Sequence, residues 1–349
     1  MLKYKNEIGG INMSYIDPDN LTVDTKMEYK IIEGFERELA QGKYVDKNYD
    51  LDSSKARNKY NKYINDIAAF NPREYKVTDF SNIGTSSILE LSAMVVFVLF
   101  GERAMPDFEE FLSVLRPSGS NCVLDGVNLT GMAAPGQPVV NLVLVPDLET
   151  SSNVVTIVHE FVHFYLRKLN LDFNKKMYYE EILTIYAEKV ANIILSQELK
   201  DPKFGAKIEE CRLEGILWHY KQNLVQLDFL SKHYTEMKLM AEFNPLAKMN
   251  QAKIEADMPY LKTPEGIKVL KSYYQNLSDS YGIGYLYAET LLRKFLEDPE
   301  KMEDDFKKLI EQTITLQQLL DSYNINAKNY EVYNNVTEKL DHLRLIRKI

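Results

Sequence analysis

The pentapeptide HEFVH, residues 159–163, combines residue types that can bind a metal ion and move a proton. The chain has only five histidines in 349 residues, and two of them, His159 and His163, lie in this segment. Residues four apart share one face of a helix, so both imidazoles can bind the same zinc ion. Glu160 lies next to the first histidine, where it can act as a general base toward water acidified by the metal. The pattern therefore predicts a catalytic centre with one Zn²⁺ ion.

A third protein ligand is expected from the next helical segment, MYYEEILTIYAEKVANIILSQEL. Glu181 and Glu188 lie seven residues apart, so they share a helix face and either could reach the metal, whereas Glu180 points to another face. The apolar surroundings of Glu188 favour it, because a buried carboxylate needs a cation, while Glu181 can serve as a first-turn acid. Asn192, one turn further on, could orient a ligand from outside the coordination shell or make an ordinary polar contact.

The elements that must position these residues are predicted to be mainly helical. Helical periodicity extends from 24 to about 116, and it returns in helices near 150–169, 177–199, 205–226, 228–242, 262–277, 281–297 and 301–311. Between these regions, at 117–146, short runs of β-branched residues are interrupted by Gly, Pro and Asn. This pattern predicts two or three short strands. The expected fold class is mainly α, with a small β-sheet beside the active-site helix.

The last predicted strand, PVVNLVLV at 138–145, comes directly before the HEFVH helix. Its edge could hold an extended peptide through main-chain hydrogen bonds, with Val140 and Asn141 as substrate-binding candidates. The change in sequence texture also predicts two parts, a helical N-terminal lobe at 1–104 and a catalytic domain at 105–349 packed against it.

Composition argues against several classes of function. The net charge is −9 and no stripe of Lys and Arg is present, which disfavours a nucleic-acid partner. The apolar run at 91–101 has about half the length needed to cross a bilayer, so we expect a buried core helix and no membrane association. The N-terminus lacks the features of a secretion signal, and Cys122 and Cys211 cannot form a disulfide framework. These features favour a cytoplasmic protein, and they leave its oligomeric state open.

The chain resembles the catalytic part of the oligoendopeptidase F and thimet oligopeptidase family of zinc metallopeptidases. The similarity is carried by HEFVH, by YAEKVAN around Glu188, and by SYGIGYLYAETLLRKFLEDPEKMEDDFKKL at 280–309. It extends over roughly 105–349. The resemblance implies a zincin-like peptidase fold, one zinc ion, a peptide substrate and Glu188 as the third ligand, because the family has a Glu at the corresponding place.

A tyrosine is the further catalytic residue that this resemblance implies. In the family a tyrosine from a Tyr-rich helix start hydrogen-bonds the tetrahedral intermediate, and GYLYAE aligns Tyr285 with it. Tyr281 and Tyr287 flank it as substrate-binding candidates. A phenol can donate to an oxyanion without ionising, and Gly282 and Gly284 would give it a flexible approach. Since the chain has 23 tyrosines, aromatic packing is the alternative role.

Two departures from the family qualify the resemblance. No histidine lies at 264–284, where the family usually carries one, and His219 and His233 are too distant in sequence to align. The N-terminal region is also shorter than in the family, so a more open cleft is expected. The predicted reaction is peptide-bond hydrolysis. A zinc-binding scaffold without activity, or a zinc hydrolase of non-peptide amides or esters, remains the alternative, although Glu160 favours catalysis because a structural zinc site needs no general base.

Overall fold

A computed structural model describes residues 51, 53–114, 150–169, 178–232 and 264–348 of the chain. These residues are 81% helical and contain no strand, which confirms the mainly α prediction. One isolated antiparallel bridge joins Asn82 to Thr150, just before the HEFVH helix. The predicted strands at 117–146, with Val140 and Asn141, lie outside the described residues.

Ten α-helices occupy the described part of the chain. In order they are α1 (Ser54–Phe70), α2 (Thr85–Phe100), α3 (Met105–Val114), α4 (Ser152–Lys168), α5 (Tyr178–Glu198), α6 (Phe204–Lys232), α7 (Pro264–Glu297), α8 (Pro299–Ile310), α9 (Leu316–Ser322) and α10 (Tyr330–Ile346). Short 3₁₀ turns precede α2 and α3, at Val77–Asp79 and Glu102–Ala104. The HEFVH segment lies on α4, and the candidate third ligands lie on α5.

Side-chain caps fix the ends of several helices where the sequence provides them. The Ser53 side chain accepts the amide of Ala56 at the start of α1, and the helix ends at Asn71, whose φ of 52° is left-handed. Thr315 and Gln318 form a reciprocal capping box at the start of α9. Such caps satisfy amides that have no partner within the helix, so they define where each helix begins.

α7 is one continuous helix, although the sequence predicted two helices separated near residue 280. Gly282 and Gly284 do not interrupt it. They lie where α7 packs closely on neighbouring helices. A Cβ at Gly282 would clash with the Tyr60 hydroxyl on α1, and one at Gly284 would lie 2.9 Å from the Cβ of Glu181 on α5. The prediction of a helix break was therefore wrong, and the glycines bring α7 against its neighbours.

α7 lies at the centre of the fold, where it packs chiefly on α5 and α6, and α4 packs on the other helices through α5 and α2. The N-terminal helices join the same hydrophobic core, which runs from Leu51 to Leu343. The buried Asp279 carboxylate of α7 accepts two hydrogen bonds from Arg57 of α1, at 2.8 and 2.9 Å. The Tyr63 hydroxyl also donates to the carbonyl of Gly282 at 3.1 Å. Residues 53–104 thus pack directly on the helices that carry the site.

α2 contains the apolar run that the sequence predicted as a core helix, and Ala93, Met94, Val95 and Val96 are indeed buried in it. None of the described helices combines the length and the apolar character that a membrane span requires.

A buried charged cluster fixes α5, α6 and α7 relative to one another. The Lys189 ammonium of α5 donates to Glu209 of α6 at 2.9 and 3.0 Å and to Glu289 of α7 at 2.9 Å. All three side chains are almost completely buried. Since a buried charge is costly without its partner, this cluster opposes sliding between the helices that surround the candidate site.

Candidate metal centre

α4 and α5 pack against each other in antiparallel orientation, and this arrangement brings their polar residues together. His163 contacts Glu180 and Glu181 near the start of α5, whereas His159, one turn earlier on α4, contacts Glu188 further along α5. The surrounding residues of α4 are apolar and buried, which holds the imidazoles against α5. Both histidines of HEFVH therefore point into the same helix interface.

The Nε2 atoms of the two histidines converge on one carboxylate. His159 Nε2 lies 3.2 Å from His163 Nε2. Glu181 places Oε2 at 3.9 Å from His159 Nε2 and Oε1 at 3.6 Å from His163 Nε2. Candidate ligand atoms of these three residues all lie within 4.8 Å of one another.

The Nδ1 atoms face two other carboxylates. His163 Nδ1 lies 3.1 Å from Glu180 Oε2. His159 Nδ1 lies 2.5 Å from Glu188 Oε1, although that oxygen is off the direction of the ring N–H. Each imidazole is thus placed between a carboxylate on its Nδ1 side and the shared Nε2 cluster, an arrangement common among zinc-binding histidines.

This donor set fits a zinc ion. A neutral imidazole that directs its Nδ1–H toward a carboxylate presents an unprotonated Nε2, and two Nε2 atoms 3.2 Å apart can share either a proton or a bound cation. In tetrahedral zinc sites, ligands at about 2.0–2.1 Å from the metal are separated by about 3.3 Å. Two histidines and one glutamate form the ligand set of a catalytic zinc site, in which the fourth position serves water or substrate.

The geometry distinguishes Glu181 from Glu188 as the third ligand. The sequence favoured Glu188, but its carboxylate lies on the Nδ1 side of His159 and pairs with Arg212 of α6 through Nε at 2.8 Å and through Nη2. Glu181 lies on the Nε2 side of both histidines. The structure therefore brings Glu181 to the Nε2 cluster and places Glu188 beside His159 Nδ1.

Neighbouring charges shift the pKa values of Glu188 and His159. Burial alone would raise the pKa of Glu188, but Arg212 and His159 hold it below its usual value. Burial would lower the pKa of His159, yet Glu188, followed by Glu160 and Glu181, raises it overall. Glu188 is thus a carboxylate at neutral pH, which is the form that can orient the imidazole.

Glu160 is buried beside the cluster, with 4% of its surface exposed. It follows His159 directly on α4, and its charge contributes to the raised pKa of that histidine. The general base that HEFVH predicted is consequently within electrostatic reach of the candidate ligands.

Tyr285 lies in a different environment from the one the family alignment implies. Its ring is fully buried, its hydroxyl donates to Glu209 at 2.7 Å, and the Lys189 ammonium lies 3.9 Å from its ring centroid. Burial and the nearby Glu209 raise its pKa well above the usual value, so the hydroxyl remains protonated. The structure places Tyr285 in the buried charged cluster, and Tyr287 is likewise buried in the core.

Tyr281 is also buried on α7. It precedes Gly284 by one turn of α7, and Gly284 contacts Glu181. It also lies within electrostatic range of Arg212. Its ring stacks on His219 of α6, with centroids 4.2 Å apart and planes inclined by 14°. A histidine too distant in sequence to align is therefore next to this tyrosine in space.

Sequence reasoning did not identify Arg212 or His219. The signal for Arg212 was that a buried Glu188 carboxylate needs a cation, but the sequence predicted that this cation was the metal ion. His219 lies seven residues after Arg212 and so shares its helix face. Asn192, for which the sequence predicted either a ligand-orienting role or an ordinary polar contact, lies where α5 meets the start of α6 beside Gly205.

No protein-family model, curated protein or solved structure matches the chain. The resemblance to the oligoendopeptidase F family thus depends on the motifs in the sequence, and the function has to be argued from the geometry of the site.

Proposed function

We propose that the protein is a zinc-dependent peptidase. The observation that supports this most strongly is the convergence of His159 Nε2, His163 Nε2 and the Glu181 carboxylate beside the buried Glu160. Structural zinc sites close their coordination with a fourth protein ligand and need no general base. A three-residue set with an adjacent carboxylate is instead the arrangement of a hydrolase.

In this proposal His159, His163 and Glu181 hold one Zn²⁺ ion. When bound, the ion would supply a Lewis acid that polarises the scissile carbonyl and acidifies a water molecule. Glu160 takes a proton from the water and later gives it to the leaving amine. Glu180 and Glu188 hold the two imidazoles by their Nδ1 atoms, so the Nε2 lone pairs keep their direction.

The choice of peptide bonds as the substrate is supported by the sequence resemblance to oligopeptidases. Tyr281 takes the place proposed for Tyr285 as the phenol that can donate to the developing oxyanion, because Tyr285 already donates to Glu209. The net charge of −9 and the free Cys211 are consistent with a cytoplasmic enzyme that acts on peptides rather than on nucleic acid.

Cleavage of an internally quenched peptide library tests this function. We expect cleavage by the purified protein, its loss with a zinc chelator, and its return when Zn²⁺ is added back. A chelator-insensitive activity, or zinc binding without cleavage of any peptide, would contradict the proposal. The cleaved sequences would also report length limits and side-chain preference.

A further inference from the structure

Glu188 is held from two sides. Arg212 of α6 directs Nε to Oε2 at 2.8 Å and Nη2 to Oε1, a fork-shaped pairing that fixes the plane of the carboxylate. Oε1 in turn lies 2.5 Å from His159 Nδ1. One carboxylate therefore connects an arginine on a third helix to a candidate metal ligand.

The position of Arg212 is fixed by a neighbouring contact between the same two helices. Lys189, which follows Glu188 on α5, donates to Glu209, and Glu209 lies one turn before Arg212 on α6. Residues three apart share a helix face, so two consecutive residues of α5 are tied to one face of α6. A shift or rotation of α6 would break both contacts, which gives Arg212 a defined place beside the site.

Arg212 also balances the charge around His159. Glu160 and Glu181 lie close enough to His159 to influence it, as Glu188 does. Without a partner, the buried Glu188 carboxylate would be repelled by these acids, and it could turn away from Nδ1. The imidazole would then lose the contact that holds its ring orientation.

We propose that Arg212 is a positioning residue of the zinc centre, which clamps Glu188 against His159 Nδ1 and thereby strengthens Zn²⁺ binding. This inference rests on the proposed function, since it requires zinc at His159 and His163. It concerns the affinity and geometry of the centre, so metal binding tests it independently of turnover.

The test compares Arg212→Gln, Arg212→Lys and a matched control in the full chain. Arg293 provides the control because it also pairs with a buried glutamate, Glu289, and its side chain is similarly exposed, 29% against 24% for Arg212. Zinc affinity is measured by competition with a chelator, and the geometry of the centre by the visible spectrum of the Co²⁺-loaded protein. Thermal unfolding shows that each variant is folded.

Arg212→Gln is expected to weaken zinc binding by roughly 10- to 100-fold and to change the Co²⁺ spectrum. Arg212→Lys, which keeps the charge without the fork, should recover part of the affinity. If Arg212→Gln fails to fold, the comparison of Arg212→Lys with wild type decides the question. Arg293→Gln should retain wild-type affinity and spectrum even if it lowers stability.

A double-mutant cycle shows whether Arg212 acts through Glu188. If it does, Glu188→Gln combined with Arg212→Gln should bind zinc no more weakly than Glu188→Gln alone. Additive losses, or wild-type affinity and spectrum in the arginine variants, would overturn the inference while leaving the proposed function intact. Failure of the wild-type protein to bind zinc would instead overturn the proposed function and this inference with it.

Discussion

His159 and His163 direct their Nε2 atoms at each other across 3.2 Å, while their Nδ1 atoms face Glu188 and Glu180. The two imidazoles are thus adjacent at the interface between α4 and α5, with one carboxylate on the outer side of each. This pattern places the two Nε2 atoms together on the side of Glu181, where they can share a proton or, in the proposed zinc enzyme, bind one metal ion.

Glu160→Gln should separate metal binding from catalysis. The substitution keeps the shape of the side chain but removes its ability to accept a proton, so we expect zinc affinity to be retained. Peptide turnover should fall by roughly 10²- to 10⁴-fold, the scale of general acid–base catalysis. Zinc content and steady-state kinetics check this prediction, and near-normal turnover in a zinc-loaded variant would refute the role of Glu160.

Tyr285→Phe should affect stability more than catalysis. The variant loses a buried hydrogen bond to the charged Glu209, which is expected to cost about 1.5–3 kcal/mol of unfolding free energy. The value of kcat should change little, whereas Tyr281→Phe should lower kcat by roughly 10²- to 10³-fold, the scale for one oxyanion donor. Urea unfolding and peptide kinetics of both variants distinguish the two tyrosines. The reverse pattern would restore the role that the family alignment implied for Tyr285.

Gly284→Ala should damage the site through packing. The added Cβ would lie 2.9 Å from the Cβ and 3.1 Å from the carbonyl carbon of Glu181, so α5 and α7 must move apart. We expect a loss of about 1–3 kcal/mol in stability and weaker zinc binding.

Gly215→Ala on α6 is the matched control, because nothing lies within 4 Å of its added Cβ. There alanine should stabilise the helix by about 0.5–1 kcal/mol and leave zinc affinity unchanged. Equal effects of the two substitutions would show that the close approach at Gly284 does not position Glu181.

His219 should make the apoprotein less stable in mild acid. Burial, followed by the nearby Arg212, lowers its pKa from the usual 6.5 to about 3 in the folded protein. The neutral folded form therefore contributes stability above pH 6.5, which is lost as the pH falls from 6.5 toward 3, by up to about 1.4 kcal/mol per pH unit.

Urea unfolding between pH 7 and 4 tests this dependence in His219→Phe, which keeps an aromatic ring against Tyr281 but cannot titrate. We expect a flatter pH profile than in wild type. The exposed His342, changed to Phe, controls for the substitution itself. An unchanged slope in His219→Phe would argue against a buried, neutral His219.

The pair of histidines was predictable from the sequence because a spacing of four residues fixes their relationship within one helix. Spacing alone does not choose between Glu181 and Glu188 as the proposed third ligand, since the two share a face of α5 and differ only in their position along it. Which one meets the Nε2 atoms depends on contacts from other helices, namely Gly284 of α7 and Arg212 of α6. Contacts between segments so far apart in the chain cannot be derived from the spacing of residues.

The mainly helical fold followed from periodicity, but the continuity of α7 did not. Glycines in a helical pattern suggest a break when only local propensity is considered. Gly282 and Gly284 are accommodated because α1 and α5 pack closely at these positions, and tertiary contact outweighs the propensity cost. Tyr285 lies fully buried within this continuous helix, so Gly282 and Gly284 do not form the flexible approach predicted for it.

A crystal structure of the zinc-loaded protein, with anomalous scattering recorded at the zinc edge, would locate the metal ion and its ligands. We predict one anomalous peak at about 2.0–2.2 Å from His159 Nε2, His163 Nε2 and a Glu181 oxygen, with Glu188 still on His159 Nδ1. Coordination by Glu188 in place of Glu181 would contradict the proposed ligand set. Absence of zinc from this interface would contradict the account as a whole.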